Sequence, residues 1–115
     1  MSRSVLLQLA HDSIREVFQA QKSIDKEALL NEHPLLREKI PTSVKLYINE
    51  ELRGSFEDKS YTRSLLDEII INAKKAAFED KAFTPISVSE YLSCVIELTL
   101  HTQDGVLSEA DRPIL

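Results

Sequence analysis

Glycine and cysteine are scarce in this 115-residue chain, which has two glycines and one cysteine. With only Gly54 and Gly105, the chain cannot build the glycine-rich loop with which many nucleotide-binding proteins hold phosphates. The single Cys94 excludes an internal disulfide, and such a chain is expected in a reducing compartment. We therefore predict a cytoplasmic protein that does not bind nucleotides in the usual loop.

A basic surface and a long apolar segment are also missing. The formal net charge is −5 at pH 7, so we expect no broad cationic surface for nucleic acid. No segment approaches the roughly 20 apolar residues needed to cross a bilayer, so we expect no membrane span. The hydrophobic share of 43% is ordinary for a globular protein, and the length fits one domain over residues 1–115.

Two stretches of the chain have helical periodicity. Residues 4–21 and 64–79 place apolar side chains three or four positions apart, which predicts an N-terminal helix and a long middle helix. A short helix is expected near residues 26–30, and Pro34 disfavours helical backbone in the residue before it. The acidic residues of the middle helix, Glu68 among them, are interpreted as a solvated face.

A β-hairpin is predicted at the centre of the chain. Apolar and polar residues alternate over residues 44–49 and again over 52–56, and a tight turn at 49–51 joins the two runs. This alternation places Leu52, Gly54 and Phe56 on the core side of the sheet. Arg53 and Ser55 then belong to the opposite face.

One further strand is predicted after the middle helix. Ser87 and Glu90 have the spacing of a capping box, and residues 94–101 alternate as a strand. The tail from about residue 102 is polar and is expected to be poorly ordered. The fold prediction is α+β, with an antiparallel sheet of at least three strands packed against the N-terminal and middle helices.

Three segments in this order resemble the AMMECR1 family. That family has a strand ending in Leu-Arg-Gly-Cys-Ile-Gly, and residues 52–57 here read Leu-Arg-Gly-Ser-Phe-Glu. A segment of the type Ala-Ala-x-x-Asp-x-Arg-Phe-x-Pro corresponds to residues 76–85, which read Ala-Ala-Phe-Glu-Asp-Lys-Ala-Phe-Thr-Pro. A strand of the type Ile-Glu-Ile-Ser-Val-Leu-Thr corresponds to residues 95–102. The resemblance covers roughly residues 5–102.

Three of the departures from the family pattern concern its most distinctive residues. Ser55 replaces the family's cysteine, Glu57 its second glycine, and Ala82 the arginine before the phenylalanine. The C-terminal part of the usual domain is also expected to be missing. The resemblance implies association with a Memo-type protein and a radical-SAM protein, and hence a role beside an enzyme.

The candidate ligand-binding residues are Arg53, Gly54, Ser55, Tyr47 and Glu97. A guanidinium on a strand can bind a carboxylate or phosphate through two hydrogen bonds, and a neighbouring glycine lets a ligand approach the backbone. Alternatively, Arg53 pairs with an acid of a neighbouring strand and Gly54 serves packing. Ser55 has no recognisable partners for a nucleophile. Cys94 and His101 face opposite ways on one strand, so no metal site and no cofactor are expected.

Three functions remain open from the sequence. The first is a non-catalytic binding or accessory module of the AMMECR1 type. The second is an enzyme or enzyme subunit with a small anionic substrate, in which Arg53 is the anchor and Glu97 the general acid or base. The third is a protein-interaction module or homodimer that uses an exposed apolar patch.

Overall fold

A computed structural model of the protein describes residues 4–111. Within this range the helices are α1 (Val5–Gln19), α2 (Lys26–Glu32), a short 3₁₀ helix (Pro34–Arg37), α3 (Leu65–Phe78) and α4 (Val88–Ser93). Each α-helix begins at a side-chain cap, and at α4 the Ser87–Glu90 capping box forms as predicted. This confirms the helices predicted over residues 4–21 and 64–79. Their observed ends differ from the predicted ends by at most two residues.

The strands are β1 (Thr42–Ile48), β2 (Glu51–Glu57), β3 (Val95–Thr102) and β4 (Gly105–Ala110). They form one antiparallel sheet in the order β2-β1-β3-β4. The α+β prediction is confirmed. The poorly ordered tail expected from residue 102 is not found over residues 105–110, because these pair with β3 as an edge strand. The last four residues of that expected tail lie outside the described range.

The core lies between one face of the sheet and the two long helices. α1 and α3 pack against each other, α3 packs on β1 and β2, and α1 packs on β3. The largest fully buried apolar side chains come from both layers: Ile14, Leu36, Leu46, Leu65, Leu66, Ile69, Ile96 and Leu98. The other face of the sheet, on which Lys45, Tyr47 and Glu97 lie, we call the open face.

The hairpin forms where it was predicted, but its faces differ from the simple alternation. Asn49 and Glu50 both have positive φ, of 52° and 67°, as a two-residue hairpin turn of the primed type requires. The register shifts between Leu46 and Tyr47, which pair with Gly54 and Leu52 respectively. Arg53 is therefore the extra residue of a β-bulge.

The bulge corrects the prediction for Leu52. Because one extra residue reverses the alternation, Leu52 pairs with Tyr47 on the open face, and 43% of it is exposed. Gly54 is buried and Phe56 half-buried, as expected for the core side.

Glu68 also differs from its predicted position on a solvated face, because its side chain is fully buried. Its Oε1 accepts a hydrogen bond from the Thr42 backbone N–H (3.0 Å). Its other oxygen lies 3.6 Å from Arg63 Nη1, and the carboxyl contacts that of Asp58. Burial, together with the neighbouring Asp58, raises the pKa of Glu68 to about 7, so the carboxyl binds a proton at neutral pH far more readily than an exposed one.

In the part of the chain described, no helix is both long enough and apolar enough to span a membrane.

Candidate functional site

Three of the five predicted site residues lie together on the open face. One row across the sheet contains Ser55, Lys45 and Glu97 on neighbouring strands, since Lys45 pairs directly with both others. Tyr47 lies one row further along β1 on the same face. Lys45 lies at the centre of this row, and Arg53 is not part of it.

An apolar row borders this polar row. Tyr47 pairs with Leu52 on one side and with Val95 on the other, so all three side chains lie side by side on the open face. Leu52 is exposed, and Tyr47 and Val95 are half-buried. The open face thus combines a charged row with an apolar row in its central part.

Arg53 leaves the open face, because the bulge turns it towards α4. Its Nε donates to Glu90 Oε2 (2.7 Å) and its Nη2 donates to Glu90 Oε1 (3.1 Å), which is a two-pronged ion pair. The guanidinium also lies 5.6 Å from the centre of the Phe83 ring. The alternative in which Arg53 pairs with an acid is the one found, although that acid comes from a helix instead of a neighbouring strand.

The ion pair determines the charge states on this side of the sheet. Hydrogen bonding to Glu90 raises the pKa of Arg53, and the same bond lowers the pKa of Glu90 to about 2. Nearby, the Ala82 backbone N–H, then that of Ser55, holds the pKa of Asp80 below its usual value. Because β2 is an edge strand, the Ser55 backbone N–H could otherwise pair with a strand of another molecule, and its hydrogen bond to Asp80 prevents this. These charges serve the local structure.

Gly54 faces α3 and has no space for a ligand. A Cβ placed on Gly54 would lie 2.3 Å from the Ala76 carbonyl oxygen, far inside van der Waals contact. The glycine of the Leu-Arg-Gly segment is therefore required for close packing of α3 on β2. This is the packing alternative considered for Gly54.

A serine–histidine contact on the open face was missed by the sequence reasoning. Ser43 Oγ lies 2.7 Å from His101 Nε2, and Glu57 Oε1 lies 3.7 Å from the same nitrogen. In a catalytic triad the serine and the acid contact different ring nitrogens, so this is not the triad arrangement. Alternation did place His101 on the Glu97 face, but only the strand register shows that Ser43 is next to it.

A second polar cluster ties the end of the described chain to α1. The buried His11 contacts Asp111 Oδ2 through Nε2 (2.5 Å) and the Tyr91 hydroxyl through Nδ1 (2.7 Å). Asp111 also accepts the backbone N–H of Ile96. The cluster thus joins α1, α4 and β3. No sequence signal predicts it, because its members are 80 and 100 residues from His11.

Two shallow clefts of the described surface lie away from the open face. One lies between the start of α1 and the 3₁₀ helix, where Leu6, His33 and Leu35 line it. The other lies at the end of α1 and contains the ion pair of Glu16 with Lys74. Neither cleft contains any of the five predicted site residues. Over residues 4–111, no group of three His, Cys, Asp or Glu side chains could hold a metal ion.

Comparisons with known proteins identify the family. The AMMECR1 family model matches residues 7–111, which is most of the chain. The crystal structure of the uncharacterised protein PH0010 from Pyrococcus horikoshii is similar, with a TM-score of 0.72 and 26% sequence identity. That similarity covers 83% of this chain and 48% of PH0010, so the chain spans about half the length of this relative. No curated protein matches. The chain belongs to the AMMECR1 family.

Proposed function

We propose that the chain is a non-catalytic protein-binding module of the AMMECR1 type, and that the open face is its binding surface. The observation that carries this proposal is the layout of that face. Beside the polar row of Ser55, Lys45 and Glu97 lies an apolar row whose Leu52 is 43% exposed. Protein-binding surfaces characteristically combine apolar and aromatic area with a polar surround.

The position of Arg53 argues for binding without catalysis. The enzyme alternative needs Arg53 to hold an anionic substrate next to Glu97. Arg53 instead lies in a two-pronged ion pair with Glu90, and Glu97 lies two strands away, across from Lys45. An incoming anion would have to displace Glu90, and the lowered pKa of Glu90 means that this carboxylate stays ionised throughout the physiological range.

The partners implied by the family resemblance, a Memo-type protein and a radical-SAM protein, are the first candidates for this surface. A sheet face of mixed polarity that lines neither described cleft suits a folded protein surface better than a small molecule, because small-molecule sites are concave. We place the interaction in the cytoplasm, consistent with a chain whose one cysteine forms no internal disulfide.

The test measures binding of a purified Memo-type protein to this chain by biolayer interferometry. Tyr47→Ala removes an aromatic side chain from the centre of the open face and should weaken binding about tenfold or more. Val88→Ala is the matched control, because Val88 is 53% exposed on α4, away from the open face. Binding that is lost in the control and retained in Tyr47→Ala would overturn the assignment of the surface.

A further inference from the structure

The centre of the open face has two neighbouring opposite charges. Lys45 on β1 pairs directly with Glu97 on β3, and these are the two central strands of the sheet. Among residues 4–111 neither side chain forms an ion pair within 4.0 Å, although the chain has such pairs elsewhere. Lys45 is exposed and Glu97 is half-buried. Both charges are thus available to an incoming surface.

The positions of these two charges give the face a simple symmetry. Consider a two-fold axis parallel to the strands that runs between β1 and β3, above the open face. Rotation about this axis places β1 of one copy over β3 of the other. Lys45 then lies over Glu97 of the second copy, and Glu97 lies over its Lys45. Such reciprocal contact is what a closed, symmetric dimer interface requires.

The adjoining rows are compatible with the same arrangement. Tyr47 is placed over Val95 of the second copy, so that apolar side chains meet apolar side chains. Ser43 is placed over Thr99, but Ser43 is buried and its Oγ already contacts His101 Nε2 (2.7 Å), so this row adds no polar contact between the copies. Two stacked sheets lie about 10 Å apart and usually cross at roughly 30°, so the axis is tilted from the strands by about half that angle, a change that displaces the central strands least. The pairs nearest the axis therefore stay in register.

We propose that the open face binds a second copy of this chain, through reciprocal Lys45–Glu97 contacts bordered by Tyr47 and Val95. This rests on the proposed function, because it names a partner for the same surface. Four strands at their usual spacing present a projected area of roughly 400 Å² per copy. Interfaces of that size belong to weak, transient complexes, so the dimer is expected to depend on concentration.

Charge reversal and mixing test this arrangement directly. Lys45→Glu gives a face with two acids, and Glu97→Lys gives a face with two bases. Each variant alone should self-associate at least roughly tenfold more weakly than the parent, because like charges then meet across the interface. An equimolar mixture should associate again, since every acid faces a base. Analytical ultracentrifugation from low to high micromolar concentration measures all four samples.

A matched pair of variants controls for net charge. Lys81→Glu and Glu79→Lys change the charge by the same amounts at exposed positions of the loop after α3. Neither should affect self-association. Circular dichroism spectra establish that each variant is folded, because Lys45→Glu also places two acids side by side within one sheet.

The outcomes distinguish this inference from the proposed function. The dimer is overturned if the parent protein stays monomeric at high micromolar concentration. It is also overturned if neither charge reversal weakens self-association, or if mixing the two variants does not restore it. Binding of a Memo-type protein that depends on Tyr47 would survive either result. Conversely, Tyr47-independent binding of that protein would overturn the proposed function and leave a Lys45-dependent dimer in place.

Discussion

Gly54 and Ala76 determine how closely α3 lies on the edge of the sheet. A Cβ on Gly54 would lie 2.3 Å from the Ala76 carbonyl oxygen and 3.3 Å from its carbonyl carbon. Both atoms belong to the helix backbone, so no side chain can rotate away to make room. The Leu-Arg-Gly segment therefore has a packing role at its glycine, and the proposed binding surface lies on the other face of the same strands.

Gly54→Ala should destabilise the protein by more than about 2 kcal/mol, because β2 and α3 must separate to accept the methyl group. Urea unfolding followed by circular dichroism gives the change in the free energy of unfolding. Lys45→Ala, at the exposed position on the neighbouring strand, should change it by less than about 1 kcal/mol. If Gly54→Ala were as stable as the parent, α3 could not lie as close to β2 as described.

Leu46 and Leu52 should differ strongly when each is replaced by alanine. Leu46 is fully buried, and its truncation leaves a cavity that should lower the free energy of unfolding by about 2–5 kcal/mol. Leu52 is 43% exposed on the open face, so its truncation should cost less than about 1 kcal/mol. The same urea experiment measures both. If the two variants were equally destabilised, Leu52 would be a core residue and the bulge at Arg53 would be contradicted.

The pKa of Glu90 should respond to Arg53. The hydrogen bonds from Arg53 are the main cause of its low pKa, and the Ser87 backbone N–H contributes next. Arg53→Ala should therefore raise the pKa of Glu90 from about 2 towards, but not fully to, its ordinary value. Titration of the Glu90 carboxyl carbon by NMR measures this shift. Arg53→Lys, which keeps the charge and loses the two-pronged geometry, should give an intermediate pKa.

Stability should fall as the pH rises from about 4.5 to about 7, because of Glu68. Its pKa is about 7 in the folded protein against an ordinary value of 4.5, so the folded state holds the proton more tightly than the unfolded state. The stabilisation is complete below pH 4.5 and is lost as the pH rises to about 7. This shift corresponds to roughly 3 kcal/mol.

Glu68→Gln tests the assignment of this pH dependence. Glutamine keeps an acceptor for the Thr42 N–H and gains a donor for Asp58, and it does not titrate. The fall in the free energy of unfolding over this pH interval should disappear in Glu68→Gln and persist in the exposed control Glu79→Gln. An unchanged slope in Glu68→Gln would assign the effect to another group.

Alternation and capping were enough to predict most of the fold. The hairpin, both long helices, the cap at Ser87 and the strand beginning near Cys94 depend on local patterns, which the structure reproduces. β4 was missed because Gly105–Ala110 carries no alternation strong enough to identify a strand without its neighbour. Its side chains stay exposed even in the sheet, with 63% of Val106 and of Leu107 accessible.

The candidate site was less predictable, because it depends on register. One extra residue at Arg53 moves Leu52 to the open face and Arg53 towards Glu90, and no residue pattern marks that bulge. Glu68 falls one turn after the cap Ser64, in a position that resembles an exposed acid of a first helical turn. Only the pairing of Thr42 at the start of β1 with this carboxyl explains why it is buried.

Amide NMR spectra of the ¹⁵N-labelled protein at increasing concentration test the central claim, that the open face is the contact surface. The largest shift changes are expected at Lys45, Tyr47, Val95 and Glu97, with α3 and α4 unchanged. Adding an unlabelled Memo-type protein should affect the same amides. Changes confined to the exposed edge of β4 or to the helices would show that the contact surface is not the open face.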